Sequence, residues 1–273
     1  MQRTQRRRSR RLLLGFLVGT LVSLSVAAAI AAATPFGFST GNPDGLMAMG
    51  SRPASLGKIE VEAADDFILP ASVTITGASF VGLLPLADVA LIGQVRVEVY
   101  RVFPTDSINP PSGRVPTRVN SPSDVEFVDR DSLGGTLSFQ ATVLNPSFTA
   151  SNSVLNGINS IPNQTTGGEG PVTGAEVRFD ITFNPALTLP ADHYFFVPQV
   201  QLATGDFFWL SAPKPIVFPG TPFTPDLQTW IRNESLAPDW LRVGTDIVGS
   251  VTTFNGTFSL TGAFAHHHHH GAP

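Results

Sequence analysis

The sequence predicts an all-β fold, an antiparallel β-sandwich of jelly-roll type with long loops and at most one or two short helices. Three observations carry that expectation. Runs of alternating polar and apolar residues recur along the chain; Pro and Gly interrupt them; and no segment holds an apolar stripe of 3.6-residue period long enough for a structural helix.

The N-terminus reads differently. Six arginines stand within the first eleven residues, with no acidic residue, and an apolar run follows from Leu12 to Ala33. This is the layout of an export signal, with Ala31-Ala32-Ala33 as the cleavage site, Ala27-Ala28-Ala29 as a second candidate, and Thr34 as the mature N-terminus. Ser9-Arg10-Arg11-Leu12-Leu13-Leu14 also resembles a twin-arginine signal, so both that route and ordinary secretion stay open. A permanent anchor competes, since roughly 20 apolar residues span a bilayer. Gly15, Gly19, Ser23 and Ser25 weaken the span and favour cleavage.

Residues 34–56 carry Asn-Pro-Asp-Gly turn chemistry with little periodicity, and are expected to form a loosely ordered lead-in. Residues 57–264 are expected to fold as a single sandwich domain. Lys58 to Ala63 alternates polar with apolar, the period-2 pattern of a half-buried strand. The same pattern marks Ser72 to Gly82, and Gly93 to Val102, where Val95, Val97 and Val99 oppose Arg96 and Glu98. Further strands are expected at Leu137 to Leu144, Glu176 to Phe183, Tyr194 to Leu202, Phe207 to Ser211 and Val251 to Thr261. Long loops fall at Pro104 to Gly134 and Asn145 to Val172, and a short helix is expected near Pro225 to Asn233. Residues 265–273 hold five consecutive histidines, a flexible tail able to chelate a transition metal.

Charge and composition narrow the function. Loss of the six N-terminal arginines leaves eleven cationic against 21 acidic residues, a net charge near −10. Such a surface repels nucleic acid, and membrane contact is expected only through an uncleaved signal. There is no cysteine, which excludes disulfides, thiolate nucleophiles and cysteine zinc sites. Twenty Phe against two Tyr fits rings buried without a polar handle.

Two groups of acidic residues are calcium candidates, because hard cations take clustered carboxylate oxygens. Asp65 and Asp66 lie at the end of the first confident strand near Glu60 and Glu62. Asp129 and Asp131 are spaced two apart before a glycine. The competing reading of both is a solvated acidic turn. Trp230 and Trp240, with Arg232 and Asp239 close by, could form an aromatic platform that stacks on sugar rings; the competing reading is core packing. Trp209, inside Phe207-Phe208-Trp209-Leu210, reads as buried. His193 is the one histidine outside the tail and, flanked by Asp192, reads as structural. No G-x-S-x-G, HExxH or P-loop pattern is present, and no spacing singles out a pair of carboxylates for glycoside hydrolysis.

Ala64-Asp65-Asp66-Phe67, followed by Val73-Thr74-Ile75-Thr76 and Phe80, with the late turn Leu189-Pro190-Ala191-Asp192-His193-Tyr194, resembles the same features in uncharacterised secreted bacterial surface proteins. Some of those carry a C-terminal sorting signal of the PEP-CTERM kind; none stands before Pro273 here. The resemblance spans much of residues 41–264 and implies a sandwich fold and an extracellular place, with no activity attached. The leading expectation is a non-catalytic extracellular or cell-surface protein with structural or adhesive duty, its partner a glycan, a matrix or itself. A glycan-binding module built on Trp230 and Trp240 is the alternative, and a carbohydrate-active hydrolase the third.

Overall fold

Fifteen strands run in chain order as β1 (Pro35–Ser39), β2 (Met47–Gly50), β3 (Val61–Leu69), β4 (Val73–Leu84), β5 (Ile92–Val102), β6 (Pro122–Asp131), β7 (Leu137–Ala150), β8 (Asn152–Val154), β9 (Val172–Leu189), β10 (Asp192–Leu202), β11 (Phe208–Ala212), β12 (Trp230–Asn233), β13 (Leu241–Arg242), β14 (Asn255–Gly256) and β15 (Phe258–Phe264). A 3₁₀ turn at Val89–Leu91 and a π-helical turn at Val243–Val248 are the helical pieces among the described residues. The computed structural model describes residues 33–158, 161 and 164–265. The expected export signal, apart from Ala33, and the histidine run lie outside them.

The strands form two sheets, so the all-β sandwich expected from the alternation is what the chain adopts. In the nine-stranded sheet β4 is central. It pairs with β9, which pairs with β7, along one side; along the other it pairs first with β15, which pairs with β1, and then with β11. β11 continues to β2 and β14, and β2 to β8 in the one parallel pairing. The six-stranded sheet runs β13-β12-β3-β10-β5-β6. Alternation explains which side chains face inward. Val95, Val97 and Val99 of β5 and Val177, Phe179 and Ile181 of β9 are buried in the core between the layers, as the period of two requires. Phe196 of one sheet stacks on Phe258 of the other at 4.8 Å between ring centroids, and Phe80 on Phe179 at 4.8 Å. Each such ring contributes about 1.5–3 kcal/mol by burial.

Three expectations need correction. The segment 34–56 is not a loose lead-in: β1 pairs with β15 in register from Pro35↔Ala263 to Ser39↔Ser259, and all of β2 is buried. Its turn-rich composition hid two short strands separated by the Asn-Pro-Asp-Gly turn. Residues 230–233 are strand rather than helix, because Trp230 to Asn233 pairs with Val61 to Ala64 on β3. Parts of both long loops are strand as well. β6 is an edge strand whose acidic, solvent-facing residues mask its alternation, and β7 continues to Ala150 through irregular pairing at Asn145.

Candidate functional site

The outer face of the six-stranded sheet gathers most of the chemistry in the molecule. Register places Glu62 and Ala64 of β3 beside Arg232 and Trp230 of β12, and Glu98 and Tyr100 of β5 beside Val197 and Phe195 of β10. Water is kept from the middle of this face, because segments of the loops flanking β6 and β12 cover it. Trp240 packs edge-on against Tyr100 at 5.4 Å, and its ring nitrogen donates to the Ser123 carbonyl at 3.3 Å. Arg114 ties one covering segment to another by donating to the carbonyls of Ser235, Leu236 and Ala237 at 3.0, 2.6 and 3.1 Å.

Beneath that cover Glu62, Glu98, Tyr100 and Arg232 bond to one another, while the Trp230 ring nitrogen is left without a hydrogen-bond partner. Arg232 grips Glu62 with both Nε and a terminal nitrogen, donates to the Tyr100 hydroxyl at 2.9 Å, and lies 4.2 Å over the Trp240 ring. The Tyr100 oxygen is 2.7 Å from Glu62 Oε1 and 3.1 Å from Glu98 Oε2. A hydroxyl has one proton to give. Tyr100 therefore donates to Glu62 and accepts from a protonated Glu98. The electrostatics agree: burial, then the Glu62 charge, raises Glu98 to about 9, against the pull of Arg96. Burial alone would raise Glu62 too, but Arg232 overrides it and leaves Glu62 below the ordinary range. Arg96 bridges the rim, 2.6 Å from Glu98, 3.5 Å from Asp129 and 3.7 Å from Glu60.

This geometry corrects the expected glycan platform. Trp230 is 2 % exposed and Trp240 0 %, both packed with Ala64, Tyr100, Phe195 and Val197. Arg232 is buried in the network just described, and Asp239 is buried with Arg118 Nε 3.0 Å away. A sugar ring has no face to stack on here. Trp209 is buried as expected, donating to the Thr257 carbonyl at 2.9 Å.

The four calcium candidates are not brought together either. Asp65 and Asp66 lie on β3 and Asp129 and Asp131 on β6, with β10 and β5 between them. Three inter-strand spacings put the two strands about 14 Å apart. Successive residues of a strand face opposite ways, so Asp65 points into the core and Asp66 to the outer face. Asp66 accepts from the Leu227 amide at 3.0 Å and lies 2.6 Å from His193 Nε2. Burial, opposed by His193, raises it to about 6. Asp131 spends its oxygens on Gln94 at 2.6 Å and the Leu133 amide at 2.7 Å, which closes the β6–β7 turn, and Asp129 is half exposed at the rim. Among the described residues no group of three or more His, Cys, Asp or Glu side chains is placed to hold a metal ion. The expected structural His193 is in the structure the partner of Asp66.

Glu62, Glu98 and Tyr100 went unrecognised as a cluster, since alternation made them look like the solvent-facing half of their strands. Their signal was the facing Arg232, visible only once β12 is known to pair with β3. On the opposite side of the molecule, the outer face of the nine-stranded sheet carries a shallow depression of about 420 Å³ lined by Ser79, Ser138, Gln140, Asp180, Thr182 and Thr261 among others. Among the described residues no helix is long and apolar enough to cross a membrane. No protein-family model, characterised protein or solved structure matches this chain.

Proposed function

We propose that the protein is an exported, non-catalytic β-sandwich with structural or adhesive duty at or outside the cell surface. The observation that carries this reading is where the reactive side chains spend their bonds. Glu62, Glu98, Tyr100 and Arg232 bond to one another under a covering loop, and Trp240 seals them. Groups used in this way fasten loops to a sheet and have no valence left for a substrate. The arginine-rich, apolar N-terminus supports export.

The test has two arms. Produced as the full chain in a bacterium, the protein is expected outside the cytoplasm with Thr34 as its first residue. A panel of polysaccharides and oligosaccharides is expected to show no turnover. Full-length protein retained in the cytoplasm would overturn export. Turnover that disappears in Glu62→Gln or Glu98→Gln would overturn the non-catalytic reading in favour of a hydrolase.

The second reading, a glycan-binding module, draws on the depression of the nine-stranded sheet and no longer on Trp230 and Trp240. Its hydroxyl, amide and carboxylate groups, Ser79, Gln140 and Asp180 in adjacent strands, suit a polyhydroxylated ligand. Binding on a glycan array that is lost in Gln140→Ala and Asp180→Ala, and kept in a rim variant such as Asp129→Ala, would establish it.

A further inference from the structure

The chain contains two lysines, Lys58 and Lys214, and no cysteine. Lys214 stands between Pro213 and Pro215 just after β11, its backbone narrowed by the fixed ring of Pro215. Its side chain is 17 % exposed and its Nζ lies 3.2 Å from Asp226 Oδ1, whose side chain is 12 % exposed. The same ammonium donates to the Asp226 main-chain carbonyl. Asp226 is held in turn: its Oδ2 accepts from the Ile216 amide at 3.3 Å and from Asn255 Nδ2 at 3.4 Å, and Asn255 also donates to the Pro213 carbonyl at 3.2 Å. The two residues sit at opposite ends of the crossover that leaves β11 in one sheet and enters β12 in the other.

A third group belongs to this corner. Asp65 is the single charged-type residue among the inward positions of β3, between Ala63 and Phe67, and it is wholly buried with neither carboxyl oxygen in a hydrogen bond of ordinary geometry. Burial first, then the charges of Asp66 and Asp226, push its carboxyl well above the ordinary range, with Gly256 N–H and Lys214 pulling the other way. Its carboxyl therefore holds its proton more tightly than an ordinary aspartate does, under the charges of both Asp226 and Lys214.

We propose that Lys214 and Asp226 condense in the folded protein to a side-chain amide, an isopeptide cross-link that closes the crossover segment between β11 and β12, with Asp65 carrying the proton. A proton passes from the Lys214 ammonium to the Asp226 carboxylate, which leaves a neutral amine against a neutral acid. The Nζ lone pair attacks Asp226 Cγ, the C–N bond forms, and the carbonyl electrons move to oxygen. The tetrahedral centre collapses with loss of the hydroxyl, which leaves with the C–O bonding pair and takes a proton from Asp65 to become water. Asp65 recovers that proton from the nitrogen. Ammonium and carboxylate give amide and one water, so no oxidant or co-reactant is required. Two things favour the product. A pair held in contact reacts at effective molarities of about 10⁵–10⁸ M, and the amide removes two charges whose burial is costly. The cross-link would do for a cysteine-free exported protein what a disulfide does elsewhere, independently of redox conditions.

The test is peptide mapping of the purified protein, unfolded in denaturant and treated with an amine-acylating reagent. Lys58 is expected to react fully and Lys214 not at all. The tryptic peptide Phe179 to Arg232, which contains both partners because Lys214 precedes proline, is expected one water lighter than its sequence. Lys214→Arg keeps the charge but cannot form the amide; its peptide should have full mass and its unfolding temperature should fall below that of the parent. Asp65→Asn, nearly isosteric with the neutral acid, should fold and leave Lys214 reactive; a cross-link that still forms in it would remove Asp65 from the reaction. Full mass with Lys214 acylated as readily as Lys58 would overturn the proposal. So would a peptide one water lighter whose Lys214 still reacts, since that is a cyclised aspartate.

Discussion

Glu98 and Arg232 show how single residues hold this molecule together. Glu98 titrates at about 9 in the folded protein, against an ordinary value of 4.5, so the folded state keeps a proton that the unfolded chain has already released. Its contribution to stability is full below pH 4.5 and is lost as pH rises toward about 9. Glu98→Gln is permanently neutral and escapes that loss. Denaturant unfolding should find it close to the parent at pH 4 and more stable at pH 8; equal stability of the two at pH 8 would mean that Glu98 is ionised in the fold. Among the described residues Arg232 is the one cation gripping Glu62. Arg232→Met strands a buried carboxylate, at an expected cost of about 3–5 kcal/mol. The double variant Glu62→Leu/Arg232→Met, which leaves no charge behind, should recover most of it.

Strands place these residues, and the strands differed in how plainly the sequence declares them. β4 and β9 were legible because one face is core and the other is largely open to water, and period-2 alternation follows from that; β5 was legible because its outer positions, though covered, still carry the polar Arg96, Glu98 and Tyr100. β2 was not, since all four of its residues are buried and alternation has no polar half to show. β12 was hidden for a related reason: both its faces are covered, one by the core and one by the loops, so Trp230 to Asn233 shows no alternation and reads as the end of a short helix. The site followed the strands. Trp230, Trp240 and Arg232 lie together and Asp239 lies beside Arg118; the sequence left open whether the rings form a platform or pack in a core, because covering by loops distant in sequence leaves no local pattern. Asp65 and Asp66 are parted for another reason, since adjacent residues on a strand face opposite ways.

Two element-scale predictions follow from the pairing. Deleting residues 34–50 removes β1 and β2, with the buried Met47 and Met49, and strips the outer edge of β15; the shortened chain should fail to give a cooperative unfolding transition. Gly256 in β14 is constrained by close approach, because a Cβ there would stand 2.3 Å from the Trp209 ring, far inside contact. Gly256→Ala should destabilise by at least about 1–3 kcal/mol, as overpacking does, read as a fall in the denaturant midpoint.

At the scale of the whole molecule, two layers share one continuous core, and a second apolar cluster lies under the loops of the six-stranded sheet. Among the described residues no three His, Cys, Asp or Glu side chains are grouped to hold a metal ion. Thermal unfolding with excess Ca²⁺ and with chelator should give the same midpoint, whereas a ligand of the native state would raise it. The central claim is that the aromatic and polar constellation of the outer face is internal structure and not a binding surface. All three tryptophans, Trp209, Trp230 and Trp240, are at most 2 % exposed, and Trp230 and Trp240 report on the outer face, so a Trp209→Phe variant leaves their fluorescence alone to read. The measurement is acrylamide quenching of that fluorescence in the native protein, with and without oligosaccharides. The account predicts blue-shifted emission that is barely quenched, is indifferent to sugars and becomes quenchable only on unfolding. Ready quenching in the native state, with protection by an oligosaccharide, would contradict it.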